Sequence, residues 1–321
     1  MQVISRRSTL ALLSLSLCGV SATRADDLPI LRIIVPTPPG GTNDGVARAL
    51  QIPLQKLLNR TVVVDYKAGA AGSMGSAYVA RSKPDGNTLL LNNNAVLINP
   101  LISRVGYEMT DLTPLVVAAV SPMVLIVNSA IPVTDVKGLI EYAGKQSQPM
   151  PYASSGGVGS LGHLAMESFA RATGIKLLHV PYQGGGPAQM AVSSGEVKLV
   201  MTSLNGALLG QLGAGRIRLL GVASEKPTPL VPGVPPISET VPDFVLDAWF
   251  GLLAPAQTSP ATLEVLNRAL LQALAMPETR ERLLAIGSQP TAIGPVPFGA
   301  MIDRETKRWT DVIREQKISK E

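Results

Sequence analysis

Four times along this chain an apolar strand runs into a glycine-rich turn and then into a helix. The turns are PTPPGGT at 36–42, KAGAAGSMG at 67–75, SGGVGS at 155–160 and YQGGGP at 182–187. Beta-branched runs alternating with helices of about a dozen residues predict βαβ units and a mainly parallel sheet. In that topology the turns lie at the carboxyl ends of strands, where α/β folds bind ligands. The first stretch, LRIIVPTPPGGTNDGVAR, shows the device in full. Leu31–Val35 is the strand, Pro36, Pro38 and Pro39 fix the exit of the chain, and Gly40 and Gly41 let backbone N–H groups approach a ligand. Thr42 or Asn43 is the expected N-cap. A helix starting there leaves unpaired N–H groups and partial positive charge facing the turn, a setting that favours an anion.

The rest of the chain divides on this rhythm. A helix is predicted over Val46–Leu58, kinked or split at Pro53, then a strand at Thr61–Asp65, a helix from about Ser76 to Arg81 and a strand at Thr88–Leu91 before the triple Asn92-Asn93-Asn94. Leu115–Val120 and Met123–Val127 are apolar runs separated by Ser121-Pro122; the first reads as a strand crossing from one domain to the next. A helix capped by Thr134, a strand at Pro151–Ser154, a helix at Leu161–Thr173 and strands at Lys176–Pro181, Val197–Met201 and Arg216–Ala223 form a second series. Trp249–Ala254 reads as the return crossing, and helices from Ala261, Glu278 and Phe298 close the chain. The expectation is an α/β chain of two domains, one discontinuous over 26–121 plus 249–321 and one over 122–248, with a cleft between them. Hydrophobic residues at 46% and charged residues at 16% supply two such cores, and with 4% aromatics those cores must be aliphatic.

Residues 1–25 fit an export leader: Arg6 and Arg7, an apolar stretch over Leu10–Val20, and small residues around Arg24 for cleavage near Ala25. A periplasmic protein is therefore expected. Ser5-Arg6-Arg7 hints at twin-arginine export, but Thr9 stands where a bulky apolar residue is usual. The single cysteine, Cys18, falls inside the leader, which leaves no disulfide or thiolate metal site. Three of the basic residues behind the formal charge of +5 also lie there, so no basic cluster remains for nucleic acid.

Other chemistry finds little support. No turn carries Gly-Lys-Ser/Thr, so no nucleotide P-loop is present. Gly157, Gly159 and Gly162 satisfy G-x-G-x-x-G, but no acidic residue follows the next strand to hold a ribose. No cofactor is expected, and no His/Asp/Glu cluster has metal-ligand spacing. The histidines are His163 and His179. Ser160 and His163 on one helical turn would allow a Ser-His dyad, without any G-x-S-x-G elbow; the chain is read as a non-enzyme. Asp44, Arg48 and Glu167 are expected in helix-end or surface pairs, and Trp249 and Phe250 in packing at the crossing.

The stretches IIVPTPPGGTNDGVAR, KAGAAGSMG, KPDGNTLLL, YASSGGVGSLGHLAMESF, HVPYQGGGPA, SGEVKLVM and GLLAPAQTSP resemble, in order, those of the TctC-type receptors of tripartite tricarboxylate transporters, the Bug family. The resemblance implies a two-lobed periplasmic-binding-protein fold that closes on a small organic acid and delivers it to membrane permease subunits. It assigns ligand contacts to Thr37, Gly40, Gly41, Thr42 and Asn43 in the first turn and to Gly69, Ala70, Ala71 and Gly72 in the second. In the second lobe it assigns Ser154, Ser155, Gly156, Gly157, Ser160 and His163, with Thr202 and Ser203 at the distal end. Thr37 replaces an aromatic residue common in the family, Lys198 stands where Asp is frequent, and Thr202 is neutral where some members carry Asp. The resemblance therefore implies a monomeric receptor for a mono- or dicarboxylate without an amino group. A sensor subunit using the same lobe pair is the alternative, and an exported enzyme built on Ser160 and His163 comes third.

Overall fold

The computed structural model describes residues 29–182 and 184–318; the expected leader, its cleavage site and Cys18 lie outside the described residues. In chain order the elements are β1 (Leu31–Val35), α1 (Thr42–Leu58), β2 (Val62–Tyr66), a 3-10 turn at Ala70–Gly72, α2 (Ser73–Ala80), β3 (Thr88–Asn93), α3 (Ala95–Ile102) and β4 (Leu112–Asn128). There follow α4 (Val136–Gly144), β5 (Met150–Ser155), α5 (Leu161–Thr173), β6 (Leu177–Tyr182), α6 (Gly185–Ser194), β7 (Leu199–Ser203), α7 (Gly206–Leu212) and β8 (Ile217–Val222). The chain ends with β9 (Asp247–Pro255), α8 (Pro260–Ala275), α9 (Pro277–Ala285), β10 (Gln289–Ile293) and α10 (Pro295–Gln316).

These strands build two sheets that share β4. In the first, β2, β1 and β3 run parallel, and β9, β4 and β10 continue the sheet antiparallel. In the second, β6, β5 and β7 run parallel, and β4 and β8 are again antiparallel. The parallel expectation thus holds for the βαβ half of each sheet, and the crossing strands break it. Leu112–Pro122 of β4 pairs with β9, whereas Met123–Val127 pairs with β7.

Ser121-Pro122 does not interrupt β4, contrary to the sequence expectation. Pro122 sits where the ladder changes partner, so its missing N–H removes no bond that either neighbour needs. Its carbonyl still accepts from the Leu204 N–H at 2.9 Å. Past this point β4 separates two cores by simple alternation: Leu125 and Val127 face the large core, while Val124 and Ile126 face a smaller one with Val192, Val200 and Leu208.

Several local expectations change. The N-cap of α1 is Gly41, with no side-chain cap, so neither Thr42 nor Asn43 serves. The cap of α4 is Asp135, not Thr134, and its Oδ1 accepts from the Gly138 N–H at 2.7 Å. Helix α1 continues through Pro53 as one element. Helices α8, α9 and α10 each begin on a proline, one to three residues before the expected starts. Helices α3 and α7 and strand β10 are not anticipated by sequence pattern: the first two are short and weakly periodic, and β10 carries a proline.

A cleft without ionisable side chains

Where the two sheets meet, a cleft of about 460 Å3 opens over the crossing strands, floored by Met123 of β4 and Ala248 of β9. The first sheet supplies Pro36, Thr37, Pro38, Ala68–Gly72, Asn92, Asn93, Ala95 and Asn99. The second supplies Ser155, Gly156, Gly159–Gly162, Gly184 and Ser203. None of these lining residues is ionisable. The beginnings of α2, α3, α5 and α6 open onto it, so positive potential comes from backbone N–H groups of both sheets.

The second turn is the most constrained part of the wall. Gly69, Ala70, Ala71 and Gly72 all have positive φ, at 141°, 47°, 54° and 92°. A left-handed backbone costs an alanine about 1–2 kcal/mol, so this turn stores strain at two successive residues. Such a run of backbone turns N–H groups into a concavity suited to an anion. It is held by the Gly72 N–H on the Gly69 carbonyl at 2.9 Å and by Asn99 Nδ2 on the Ala71 carbonyl at 2.9 Å. Asn92 Nδ2 donates to Ser76 Oγ, which donates to the Gly72 carbonyl, each at 3.0 Å.

The first turn contributes less than expected. Thr37 lines the cleft, and its buried Oγ1 has no partner. Gly40, Gly41, Thr42 and Asn43 do not line it; both glycines are exposed and Asn43 is buried. Asp44 organises this end of α1. It accepts from the Gly40 N–H at 2.8 Å, Arg48 Nε at 2.7 Å and Tyr66 Oη at 2.5 Å. Burial opposes its ionisation, but the Tyr66, Gly40 and Arg48 bonds outweigh that and hold its carboxyl below the usual range. The Asp44–Arg48 pair meets the sequence expectation, while Tyr66 as its third member had no sequence signal.

In the third turn, Ser155, Gly156 and Ser160 face the cleft; Ser154 and His163 are buried behind it, and Gly157 lines an adjoining pocket with Ala70, Ala71 and Gly156. Ser160 caps α5 through its Oγ, which accepts from the His163 backbone N–H at 3.4 Å. The imidazole of His163 is occupied elsewhere: its Nδ1 accepts from the Gly159 N–H at 2.9 Å. Burial, with His179 adding to it, lowers His163 to about 4, and burial lowers His179 too. A Ser160–His163 dyad is therefore absent, because the ring that would act as base is committed to the backbone. Glu167, expected in a helix-end or surface pair, faces His163 Nε2 one turn away on α5 at 3.9 Å and accepts from Tyr152 Oη at 2.6 Å.

Ser203 reaches the cleft while its neighbour Thr202 is buried behind it, since successive residues of β7 point to opposite faces. Lys198 donates to the Gly195 carbonyl at 3.2 Å, away from the lining. Trp249 and Phe250 are buried; Trp249 packs edge-on against Phe298 at 5.1 Å and donates from Nε1 to Glu305 at 3.0 Å. Asn92, Asn93, Gly184, Met123 and Ala248 are lining residues that sequence reasoning did not assign. The asparagine triple at the end of β3 and the fourth glycine turn were signals for the first three. For the two floor residues there was none. Among the described residues no group of three or more His, Cys, Asp or Glu could hold a metal ion.

Residues 46–318 match the family described as tripartite tricarboxylate transporter family receptor. BugT of Bordetella pertussis is 32% identical, over 92% of this chain and 93% of its own length. Among solved structures, Rpa4515 of R. palustris with adipate superposes with a TM-score of 0.82 at 32% identity, covering 91% of this chain and 99% of that one. MatC of Rhodopseudomonas palustris with bound malate gives 0.78 at 26% identity, with coverages of 89% and 99%.

Proposed function

This chain belongs to the tripartite tricarboxylate transporter receptor family, a family of two-lobed periplasmic solute-binding receptors and not of enzymes, and on that premise we propose that its cleft binds a mono- or dicarboxylate lacking an amino group and presents it to a membrane permease. The observation that carries this reading is the lining itself. Helix N-termini from both sheets converge on a cleft that offers no carboxylate. Each terminus favours an anion by roughly 0.3–1 kcal/mol, and by up to ~2 kcal/mol when partly buried. A substrate ammonium would meet no counter-charge, and burying it unpaired is costly. Adipate and malate, bound by two similar structures, both fit that description. The switch of β4 from β9 to β7 at Pro122 supports placing the lobes at 26–121 plus 249–321 and at 122–248.

The test is a thermal-shift screen on protein stripped of ligand by unfolding and refolding, with adipate, malate, aspartate and glutamate. A ligand at about 100 times its Kd stabilises by about 2.7 kcal/mol. A shift with adipate or malate exceeding that with the amino acids supports the reading. Tighter binding of aspartate or glutamate than of their deaminated analogues sinks it.

A further inference from the structure

The third turn rests on two histidines that do not reach the cleft. A backbone N–H can only donate, so the 2.9 Å bond from Gly159 to His163 Nδ1 requires a lone pair on that nitrogen. His163 is then neutral, with its proton on Nε2, which faces Glu167 Oε1 at 3.9 Å. The second histidine acts through Ser154, whose Oγ lies 3.2 Å from the Gly157 carbonyl and 2.7 Å from His179 Nε2. A hydroxyl has one proton and a carbonyl can only accept. Both bonds form only if Ser154 donates to Gly157 while His179 Nε2–H donates to Ser154. The two imidazoles stack at 3.9 Å and 17°, and Tyr152 stacks on His179 at 5.2 Å. Gly157 and Gly159 are left-handed residues, at φ 74° and 75°: the Gly159 N–H meets the His163 ring directly, while the Gly157 carbonyl accepts from the Ser160 N–H at 3.2 Å and from Ser154, which His179 orients.

We propose that His163 and His179 are positioning residues for ligand capture: they lock the Gly157–Gly159 turn so that Ser155, Gly156 and Ser160 present their polar groups to the cleft. The proposal rests on the reading of that cleft as the carboxylate site. The lock holds while His163 Nδ1 is unprotonated. A proton there would set N–H against N–H and place a charge against the stacked His179 ring. The groups facing the pair are Glu167 on α5, Tyr152 and Ser154 on β5, and His179 itself on β6. Of these, Glu167 is the acidic residue, and its carboxyl accepts from Tyr152 Oη at 2.6 Å.

The test measures affinity by calorimetry and unfolding of the free protein in parallel, with adipate and malate as probes. His163→Phe keeps a flat ring in the stack but removes the acceptor; it weakens binding of the probe that wild type takes by about tenfold, the effect of orphaning one buried donor. His163→Asn, whose side-chain oxygen can occupy the place of Nδ1, recovers most of that loss. Ser154→Ala cuts the relay from His179 and weakens binding to a smaller extent; it serves in place of His163→Phe if that variant does not fold. Unchanged affinity in both His163→Phe and Ser154→Ala overturns the proposal. So does a loss in His163→Phe that His163→Asn shares in full, because packing would then be the cause. Wild-type protein that binds neither probe, nor any other member of a panel of mono- and dicarboxylates, defeats the carboxylate reading, and the proposal with it.

Discussion

Asn99 Nδ2 on α3 donates to the carbonyl oxygen of Ala71 at 2.9 Å, so a helix later in the chain holds the strained left-handed turn of the cleft. The donor belongs to a residue only 2% exposed, and the acceptor to a backbone that would otherwise relax. Asn99→Ala is therefore expected to destabilise the protein by about 0.5–1.5 kcal/mol, the net worth of one part-buried hydrogen bond. Ligand affinity should fall in the same variant. Urea unfolding and calorimetry check the two effects, and normal affinity would show that the turn keeps its shape unaided.

Ala71 itself tests the strain. Glycine at φ 54° escapes a penalty of about 1–2 kcal/mol but loses roughly 0.5–1 kcal/mol in chain entropy. Ala71→Gly should thus stabilise by up to about 1.5 kcal/mol, while β-branched Ala71→Val should destabilise by more than about 1 kcal/mol. The order of the two midpoints in urea decides the matter.

Gly159 packs directly against Ile102 of α3. A Cβ at Gly159 would fall 2.0 Å from Ile102 Cδ1, on a backbone at φ 75°. Gly159→Ala should cost about 1–3 kcal/mol and push the third turn away from α3. Ile102→Val removes Cδ1, so a double-mutant cycle should show Gly159→Ala to be milder in the Ile102→Val background. Additive effects would mean that the backbone conformation accounts for the whole cost.

Asp247, at the start of β9 next to the cleft floor, is raised to about 6 by burial and then by the charge of Glu305. Glu305 is itself raised by burial, although it accepts from Trp249 Nε1 and Asn94 Nδ2. For Asp247 the folded state binds its proton more tightly than the unfolded chain, whose value is 3.8. Its contribution to stability is present below pH 3.8 and is lost as pH rises to about 6. Asp247→Asn should therefore match wild type near the bottom of that window and exceed it in unfolding midpoint above the top. A gap that does not change with pH would refute this assignment.

Some of this architecture was legible because it is set within a few residues. Helix α5 starts after Ser160 and stops at a left-handed Gly174, as cap chemistry dictates, and both ends are readable in sequence. The glycine turns are equally local, since positive φ at Gly69, Gly72, Gly157 and Gly159 leaves few other residues free to stand there. Motif resemblance carried the assignment further, to Thr37, Ala70, Ser155, Gly156, Ser160 and Ser203 at the lining. It also carried Gly40, Gly41, Thr42, Asn43, Ser154, Gly157, His163 and Thr202, which lie off that surface.

The sequence by itself determined the βα rhythm and the glycine turns. Backbone conformation and helix capping are short-range effects, written in the residues that experience them. Which side chains face the ligand was decided only by tertiary structure. Ser154 and Ser155 are neighbours on β5, yet one is tied to His179 and the other lines the cleft, because adjacent strand residues point to opposite faces. Ala248 and Met123 came together at the cleft only when β9 paired with β4 up to Pro122 and β4 then paired with β7 from Met123, all far apart in sequence. Their packing is a long-range effect, and no local pattern encodes it.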